Sequence, residues 1–528
     1  MENKRLKIWL PMLMSLCMIA GMYLGYKMRD GIPGKSFFYM EKRRPLQEIM
    51  DLIENRYVDE VNLDTLATPA IEAMLEKLDP HSTYIPASDL AEVNEEIQGS
   101  FYGIGIEFNI FDDTLHVINV LKDGPSYLSG LKTGDKILKA GDSLVSGHKM
   151  MTEDIRRILR GPLGSTIALN ILRNKSRLNL TVKRGIIPIS SVDASYMLDS
   201  GIGYIRLNKF STQTYREFMI SLTDLKKKGM QKLVLDLRGN GGGVLEEAVE
   251  IADEFLDADK LVTYTEGKHV KKKEYRCRRL GQFEKGGLVI LADEGTASAS
   301  EILMGSVQDW DRATIIGKRS FGKGLVQEQY DLSDKSALRL TIARYYTPLG
   351  RSIQRSYASG GKAYYEDIAK RYAPGYKDSM IQNVKSFFTT RAGKKLYGGG
   401  GITPDYYING DTGRIGAITA RLYSKGLLGD YGYRYVTANG GFIEQYKTPM
   451  QYVRSFNITE ENWKFFESMA SKDSINLTGI TGAEKKFLYN SLKTSIARQV
   501  FRTEGYFEAI NVDDNFVKKA MEVLRAGK

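Results

Sequence analysis

From Ile8 to Tyr26 the chain carries no charged residue, and this run is flanked by Lys4, Arg5 and Lys7 before it and by Lys27 and Arg29 after it. Its 19 residues approach the ~20 that an α-helix needs to cross a bilayer. No small-residue cleavage site follows, so an uncleaved signal anchor over residues 1–30 is expected rather than a signal peptide. The basic leading end of such an anchor stays in the cytoplasm, which puts the body of the protein on the far side. Leu16, immediately before Cys17, argues against lipoprotein cleavage.

The pattern then becomes amphipathic. Leu46, Ile49, Met50, Ile53 and Tyr57, and later Ile71, Met74, Leu75 and Leu78, recur at helical spacing and predict a helical region over residues 41–97. Across 98–185 short apolar stretches alternate with Gly and Asp, as in short strands joined by tight turns. Beyond Val192, Gly203–Leu207 and Lys232–Leu237 predict buried strands with an amphipathic helix near Thr212–Lys228 between them, an order typical of an α/β unit. Leu325–Leu332 and Ala337–Tyr346 predict a strand pair. Past Gly432 the chain turns helical again, with Trp463, Phe465, Phe466 and Met469 as a core stripe.

At 528 residues the chain exceeds one ordinary core, and 42% hydrophobic with 26% charged residues is globular composition. The excess of Lys+Arg over Asp+Glu, 75 − 64 = 11, suits anionic surfaces or acidic partners. It does not indicate nucleic acid, since no zinc-finger spacing, RNP-like segment or long basic arm accompanies it. The basic stretch Lys268–Arg279 reads as a solvated strand face. Cys277 has no cysteine but Cys17 to pair with, so stability must come from packing.

Two segments offer chemistry. Gly295-Thr296-Ala297-Ser298-Ala299-Ser300-Glu301 opens an apolar helix, and Phe321-Gly322-Lys323-Gly324-Leu325-Val326-Gln327 is a glycine-lined turn carrying a lysine. Taken alone, the first is an ordinary helix cap and the second a solvated turn. A serine nucleophile needs a base, either histidine or a lysine made neutral by burial. The four histidines, His81, His116, His148 and His269, all lie far from the serines in sequence. Between these readings stands a third segment, Asp236-Leu237-Arg238-Gly239-Asn240-Gly241-Gly242-Gly243, whose glycines allow close backbone approach and whose N–H groups can face negative charge. It has neither dinucleotide nor P-loop spacing.

Together the three segments resemble the C-terminal processing proteases, also called tail-specific proteases. The resemblance covers about residues 45–355 and 400–410. It implies Ser298 as nucleophile, Lys323 as base, and Gln327 as support for the lysine, with Gly242 and Ala299 contributing the oxyanion hole. Gly241 stands where that family often has proline, and Thr296 where it often has serine. Leu78-Asp79-Pro80-His81-Ser82-Thr83-Tyr84-Ile85 resembles the family's D-P-H-S-x-Y motif, which makes His81 structural. Tyr102-Gly103-Ile104-Gly105-Ile106-Glu107-Phe108, followed by Gly124–Leu138, resembles a PDZ domain of the bacterial protease type, whose peptide-binding residues would be Tyr102, Gly103, Ile104, Gly105, Ile106 and Phe108. A terminal carboxylate can bind such a loop while the chain adds as a strand.

The expected fold is therefore α+β and multidomain. It comprises the anchor (1–30), a helical region (41–97), a PDZ domain (98–185), an α/β serine protease core of crotonase-like or ClpP-like type (190–355 with 400–430), an insertion (356–399) and a helical C-terminal extension (431–528). The implied activity is serine endopeptidase cleavage near the C-terminus of protein substrates with free, unstructured tails. No metal or other cofactor is required, a homo-oligomer is compatible, and the setting is the bacterial cell envelope, inner-membrane anchored with the catalytic domain on the periplasmic or extracytoplasmic side. A catalytically inactive PDZ scaffold and a Ser-His-Asp hydrolase are the alternatives.

Overall fold

The computed structural model describes residues 4–31, 45–373, 376, 387–408, 416–441 and 445–527, and divides into two units, Met1–Ile71 and Glu72–Lys528. In the first, the helix Lys4–Gly31 contains a span, Trp9–Lys27, of 19 residues with mean hydropathy 1.4, long and apolar enough to cross a membrane by length and composition. The helix Pro45–Arg56 and the first turns of Leu63–Glu76 follow.

The second unit departs from the helical expectation at Thr83–Ile85, which is a strand. Pro80 and Pro86 break the helical run on either side, and Thr, Tyr and Ile favour extended backbone. The strand pairs antiparallel with Ala337–Tyr346, Thr83 opposite Arg339. The helix Ala87–Gln98 then leads into the β-rich region. There a sheet runs in the order Ile106–Phe111, Thr114–Val120, Lys136–Ala140, Thr166–Arg173, Ser176–Lys183 around a core that includes Leu115, Val117, Ile137, Ile155 and Ile171. The helix Thr152–Leu159 packs Ile155 and Leu159 into that core.

The sheet that organises the chemistry has six strands in the order Val192–Asp199, Ile202–Leu207, Lys232–Asp236, Leu288–Ala292, Thr314–Gly317, Tyr406–Tyr407. The first pair is antiparallel and the rest are parallel. Helices Thr214–Lys227, Leu245–Asp253 and Ala299–Asp309 cover one face, burying Phe218, Leu222, Ile251 and Leu303 against Leu233, Leu235 and Ile290. Parallel strands covered on both faces read as continuous apolar runs, and Leu288–Ala292 is buried at every position. The other face is closed by the last helix, Asn515–Arg525, through Val517, Ala520, Val523 and Leu524. Burial of a large aliphatic side chain is worth about 1.5–3 kcal/mol, so this terminal helix is part of the core's stability. A second, antiparallel sheet has Ala337–Tyr346 paired with Thr83–Ile85, Leu261–Glu266 and Leu325–Asp331.

In the tail, Trp463, Phe466 and Met469 are buried, but Phe465 is 41% exposed and only edges the cluster. One residue of offset from Phe466 is about 100° of helix rotation, enough to turn Phe465 out of the stripe.

Candidate active site and peptide groove

Three adjacent parallel strands end on the same side of the sheet, and each is followed by one of the segments singled out above. Lys232–Asp236 runs into the glycine loop, Leu288–Ala292 into the serine segment, and Thr314–Gly317 into the lysine turn. The carboxyl ends of parallel strands are where α/β sheets gather ligands, because the loops there converge.

Of the three hydroxyls in the serine segment, two are committed and buried. Thr296 Oγ1 donates to the Leu237 carbonyl at 2.9 Å, and Ser300 Oγ donates to the Asn240 carbonyl at 3.0 Å. Ser298 is half-buried at the start of helix Ala299–Asp309, with φ 56° and ψ −117°. A non-glycine residue in such a conformation costs on the order of 1–3 kcal/mol and persists only where its surroundings impose it. Here the Ser298 N–H donates to Glu301 Oε2 at 2.8 Å, and the Ser298 carbonyl accepts from Tyr345 Oη at 3.0 Å.

Glu301 also holds the lysine turn. Its Oε2 accepts from Lys323 N–H at 2.9 Å, and its Oε1 accepts from Gly322 N–H at 2.8 Å and from Ser320 Oγ at 2.5 Å. Tyr345 Oη bonds the Lys323 carbonyl as well. One carboxylate and one phenol therefore tie the main chain of Ser298 to that of Lys323. Burial pushes the Glu301 carboxyl up to about 7, against the opposing pull of its four donors. Neither Glu301 nor Tyr345 was singled out as a site residue from sequence. Glu301 reads locally as a capping partner, and Tyr345 lies 47 residues from Ser298.

The Lys323 side chain is lowered from the ordinary lysine value, first by burial and then by the positive charge of Arg339, with Asp79 and Glu301 opposing. Its Nζ donates to Gln327 Oε1 at 2.8 Å, and Gln327 Nε2 donates to the His81 carbonyl. Among the described residues Lys323 Nζ makes no hydrogen bond to Ser298 Oγ. His81 sits in this wall with its ring bonded to Tyr364 Oη at 2.9 Å, and burial lowers it to about 4.

Gly242, at φ +95°, passes so close to Ser298 that a Cβ there would lie 2.7 Å from Ser298 Cβ and 2.8 Å from the Ala299 nitrogen. Both sequence-selected oxyanion residues thus flank Ser298. The Gly242 N–H, however, donates to Asn240 Oδ1 at 2.9 Å and must turn from it to meet an oxyanion. Asp236, at the strand end below, is held well below the usual carboxylate range by Arg238 and Arg206, which outweigh its burial.

The candidate peptide groove lies in the other β-region. A cleft of about 110 Å3 is lined by Gly103, Ile104, Gly105, Ile106 and Phe108 on one side, and by Arg156, Leu159 and Arg160 on the other. Among the described residues Ile106–Phe111 is an end strand of its sheet, bonded to Thr114–Val120 alone, so its outer edge can accept an added strand. Tyr102 does not line the cleft, and Phe101 does. Successive side chains of a strand point to opposite faces, so Phe101 and Gly103 share the groove side of Ser100–Gly103 while Tyr102 faces away, 42% exposed.

The model for peptidase family S41 matches residues 201–362, that for the PDZ domain residues 103–183, and that for a family of unknown function, DUF8443, residues 418–502. A carboxy-terminal-processing protease of Bartonella bacilliformis is 36% identical over 314 residues, 58% of this chain and 71% of that protein. A probable CtpA-like serine protease of Staphylococcus epidermidis is 30% identical over 365 residues, 66% of this chain and 74% of its own. Among solved structures, the photosystem II D1 C-terminal processing protease is 29% identical and covers 58% of this chain and 89% of its own, with a TM-score of 0.33.

Proposed function

This chain belongs to peptidase family S41 and is a C-terminal processing serine protease with a PDZ domain, and from that premise we propose that Ser298 and Lys323 are its catalytic pair. The observation that carries the proposal is the shared anchoring of the two residues. A strained serine at a helix start and a half-buried lysine are bound through their main chains to the same Glu301 carboxylate and the same Tyr345 hydroxyl.

The neutral amine of Lys323 takes the Ser298 Oγ proton as Oγ attacks the scissile carbonyl carbon. The carbonyl oxygen becomes an oxyanion received by the N–H groups of Ala299 and, once released from Asn240, of Gly242. Collapse expels the leaving amine, which takes the proton from Lys323. Water then adds to the acyl-enzyme, again giving a proton to Lys323, and the second collapse returns it to Ser298 Oγ as the new carboxylic acid leaves and releases its remaining proton to solvent. Gln327 holds the lysine without adding charge. In the resting site Lys323 rests on Gln327, and substrate binding brings Nζ to Oγ, as hydrogen bonds of free enzymes commonly tighten in the complex.

Substrates enter with the free C-terminus in the loop Gly103–Gly105 and the tail extended along Ile106–Phe108, with Arg156 and Arg160 adding positive charge beside the groove. The helix Lys4–Gly31 anchors the enzyme in a bacterial inner membrane with the catalytic unit on the extracytoplasmic side. Mass analysis of a peptide with a free apolar C-terminus, incubated with wild type, Ser298→Ala and Ser300→Ala, tests the core of this reading. Cleavage near the C-terminus should vanish only in Ser298→Ala, and full activity in that variant would remove Ser298 from the mechanism.

A further inference from the structure

The insertion, residues 356–399, lies outside the family resemblance, and its helix Gly361–Arg371 reaches past the end of the S41 match at residue 362. It is nonetheless built into the wall of the lysine turn. Tyr364 is 2% exposed. Its hydroxyl bonds His81 Nε2 at 2.9 Å, and its ring meets the His81 ring edge-on at 5.4 Å and the Phe321 ring at 6.0 Å. The Arg355 guanidinium lies 3.8 Å from the Tyr364 ring centre and 4.9 Å from that of Phe321. Further along the helix, Arg371 donates to the Ser320 carbonyl at 3.0 Å, and Tyr365 Oη donates to the Pro80 carbonyl at 2.7 Å. The helix thus grips both the segment that precedes Lys323 and the turn that carries His81.

His81 in turn decides how Gln327 stands. The His81 carbonyl can only accept, so it takes the Nε2 end of the Gln327 amide and leaves Oε1 to face Lys323 Nζ at 2.8 Å. The contacts run unbroken from the insertion to the amine: Tyr364 to the His81 ring, the His81 main chain to Gln327, and Gln327 to Lys323. Resting on the reading of Ser298 and Lys323 as the catalytic pair, we propose that Tyr364 is a positioning residue for Lys323, so that the insertion sets the orientation and dryness of the catalytic amine.

The groups facing that amine are Arg339 from the strand Ala337–Tyr346, Asp79 and His81 from the preceding turn, and Glu301 from the nucleophile helix. Among the described residues none of these belongs to the insertion, whose helix acts by excluding water and fixing His81 rather than by charge. Loosening it wets Lys323, relieves the burial that lowers its basicity, and moves the acid limb of activity to higher pH.

The test is kcat and KM against pH for a tail peptide, in full-length wild type, Tyr364→Phe, Tyr364→Ala and Gln327→Ala, and in the Tyr364→Phe/Gln327→Ala double variant. Tyr364→Phe keeps the ring and removes one hydrogen bond, so it should lower kcat about three- to tenfold with KM unchanged. Tyr364→Ala should lower kcat on the order of a hundredfold and shift the acid limb upward. In the Gln327→Ala background Tyr364→Phe should have no further effect, because the contact it transmits is gone. An unshifted limb in both Tyr364 variants, or the same loss with and without Gln327, overturns the proposal. If Tyr364→Ala does not fold, the Tyr364→Phe pair decides alone. Lys323→Ala, assayed alongside, separates the two claims. If it is inactive while Tyr364 has no effect on the pH profile, only the positioning role fails, and if it is active the catalytic pair itself fails.

Discussion

The cleft around Ser298 and Lys323, proposed as catalytic, and the groove beside Ile106–Phe111, proposed to take the peptide, use backbone in opposite ways. In the cleft, Glu301 and Ser320 are fully buried, and four donors converge on one carboxylate. In the groove, Ile106 and Phe108 are only half-buried, and the strand they sit on leaves one edge without a partner strand. The proposed proton transfer from Ser298 to Lys323 needs atoms held to a few tenths of an ångström, which an overdetermined cleft supplies. The proposed recognition of varied tails needs a free row of N–H and C=O groups, which an open strand edge supplies. Substitutions in the cleft should change kcat steeply, and those in the groove should change KM gently.

The largest effect expected is at the nucleophile and base. Ser298→Ala and Lys323→Ala should each lower kcat by about four to six orders of magnitude, as removal of members of a hydrolase catalytic unit does, with thermal unfolding little changed. Lys323→Arg should not restore activity, since a guanidinium stays protonated. Steady-state assay with circular dichroism melting checks both halves.

Glu301 comes next, and it breaks the comparison if it behaves like a groove residue. Glu301→Ala leaves buried donors unmatched, which should destabilise the protein by about 3 kcal/mol and lower activity together with stability. The pH dependence has a definite sign. The folded carboxyl is raised from 4.5 to about 7, so the native state holds a proton that the unfolded chain has released. That contribution is fully present below about 4.5 and is lost as pH rises through about 7. Urea midpoints between pH 5 and 8 should therefore fall less in Glu301→Gln than in wild type.

Gln327→Ala should be milder, about tenfold in kcat, because it loses one hydrogen bond to the amine rather than the amine itself. The smallest effect belongs to the groove. Capping a substrate's terminal carboxylate as an amide should raise KM about threefold to tenfold with kcat unchanged, as for loss of one charge-assisted hydrogen bond. The difference between acid and amide should shrink in Gly105→Ala, because Gly105 has φ +73° and a Cβ there would lie 3.0 Å from Ile187 Cδ1.

The comparison also explains what could be read from sequence. The helix Thr214–Lys227 and the strands Leu325–Asp331 and Ala337–Tyr346 carry their own periodicity, and their ends fall within about two residues of expectation. Ser298, Lys323 and Gln327 were picked out by the resemblance of two short segments to the processing proteases, and the structure brings the main chains of Ser298 and Lys323 onto one carboxylate and Lys323 Nζ onto Gln327. What escaped was non-local. Tyr345 reaches Ser298 by folding back across the cleft, Tyr364 reaches His81 across 283 residues, and Asn515–Arg525 closes a sheet whose first strand begins more than 300 residues earlier. Side-chain contacts of this kind leave no local period. Phe101 was missed for a simpler reason: alternation along Ser100–Gly103 turns its side chain, rather than that of Tyr102, toward the cleft.

The most direct test of the account is the rate at which a serine-reactive phosphonate probe labels the enzyme between pH 5 and 11, with wild type set beside Lys323→Ala and Lys323→Arg. The account predicts that labelling falls on Ser298 and rises with pH through a midpoint below the ordinary lysine value near 10.5, and that both variants label at background rates throughout. Labelling of Ser298 in Lys323→Ala at the wild-type rate and with the wild-type pH dependence would show that another group takes the serine proton.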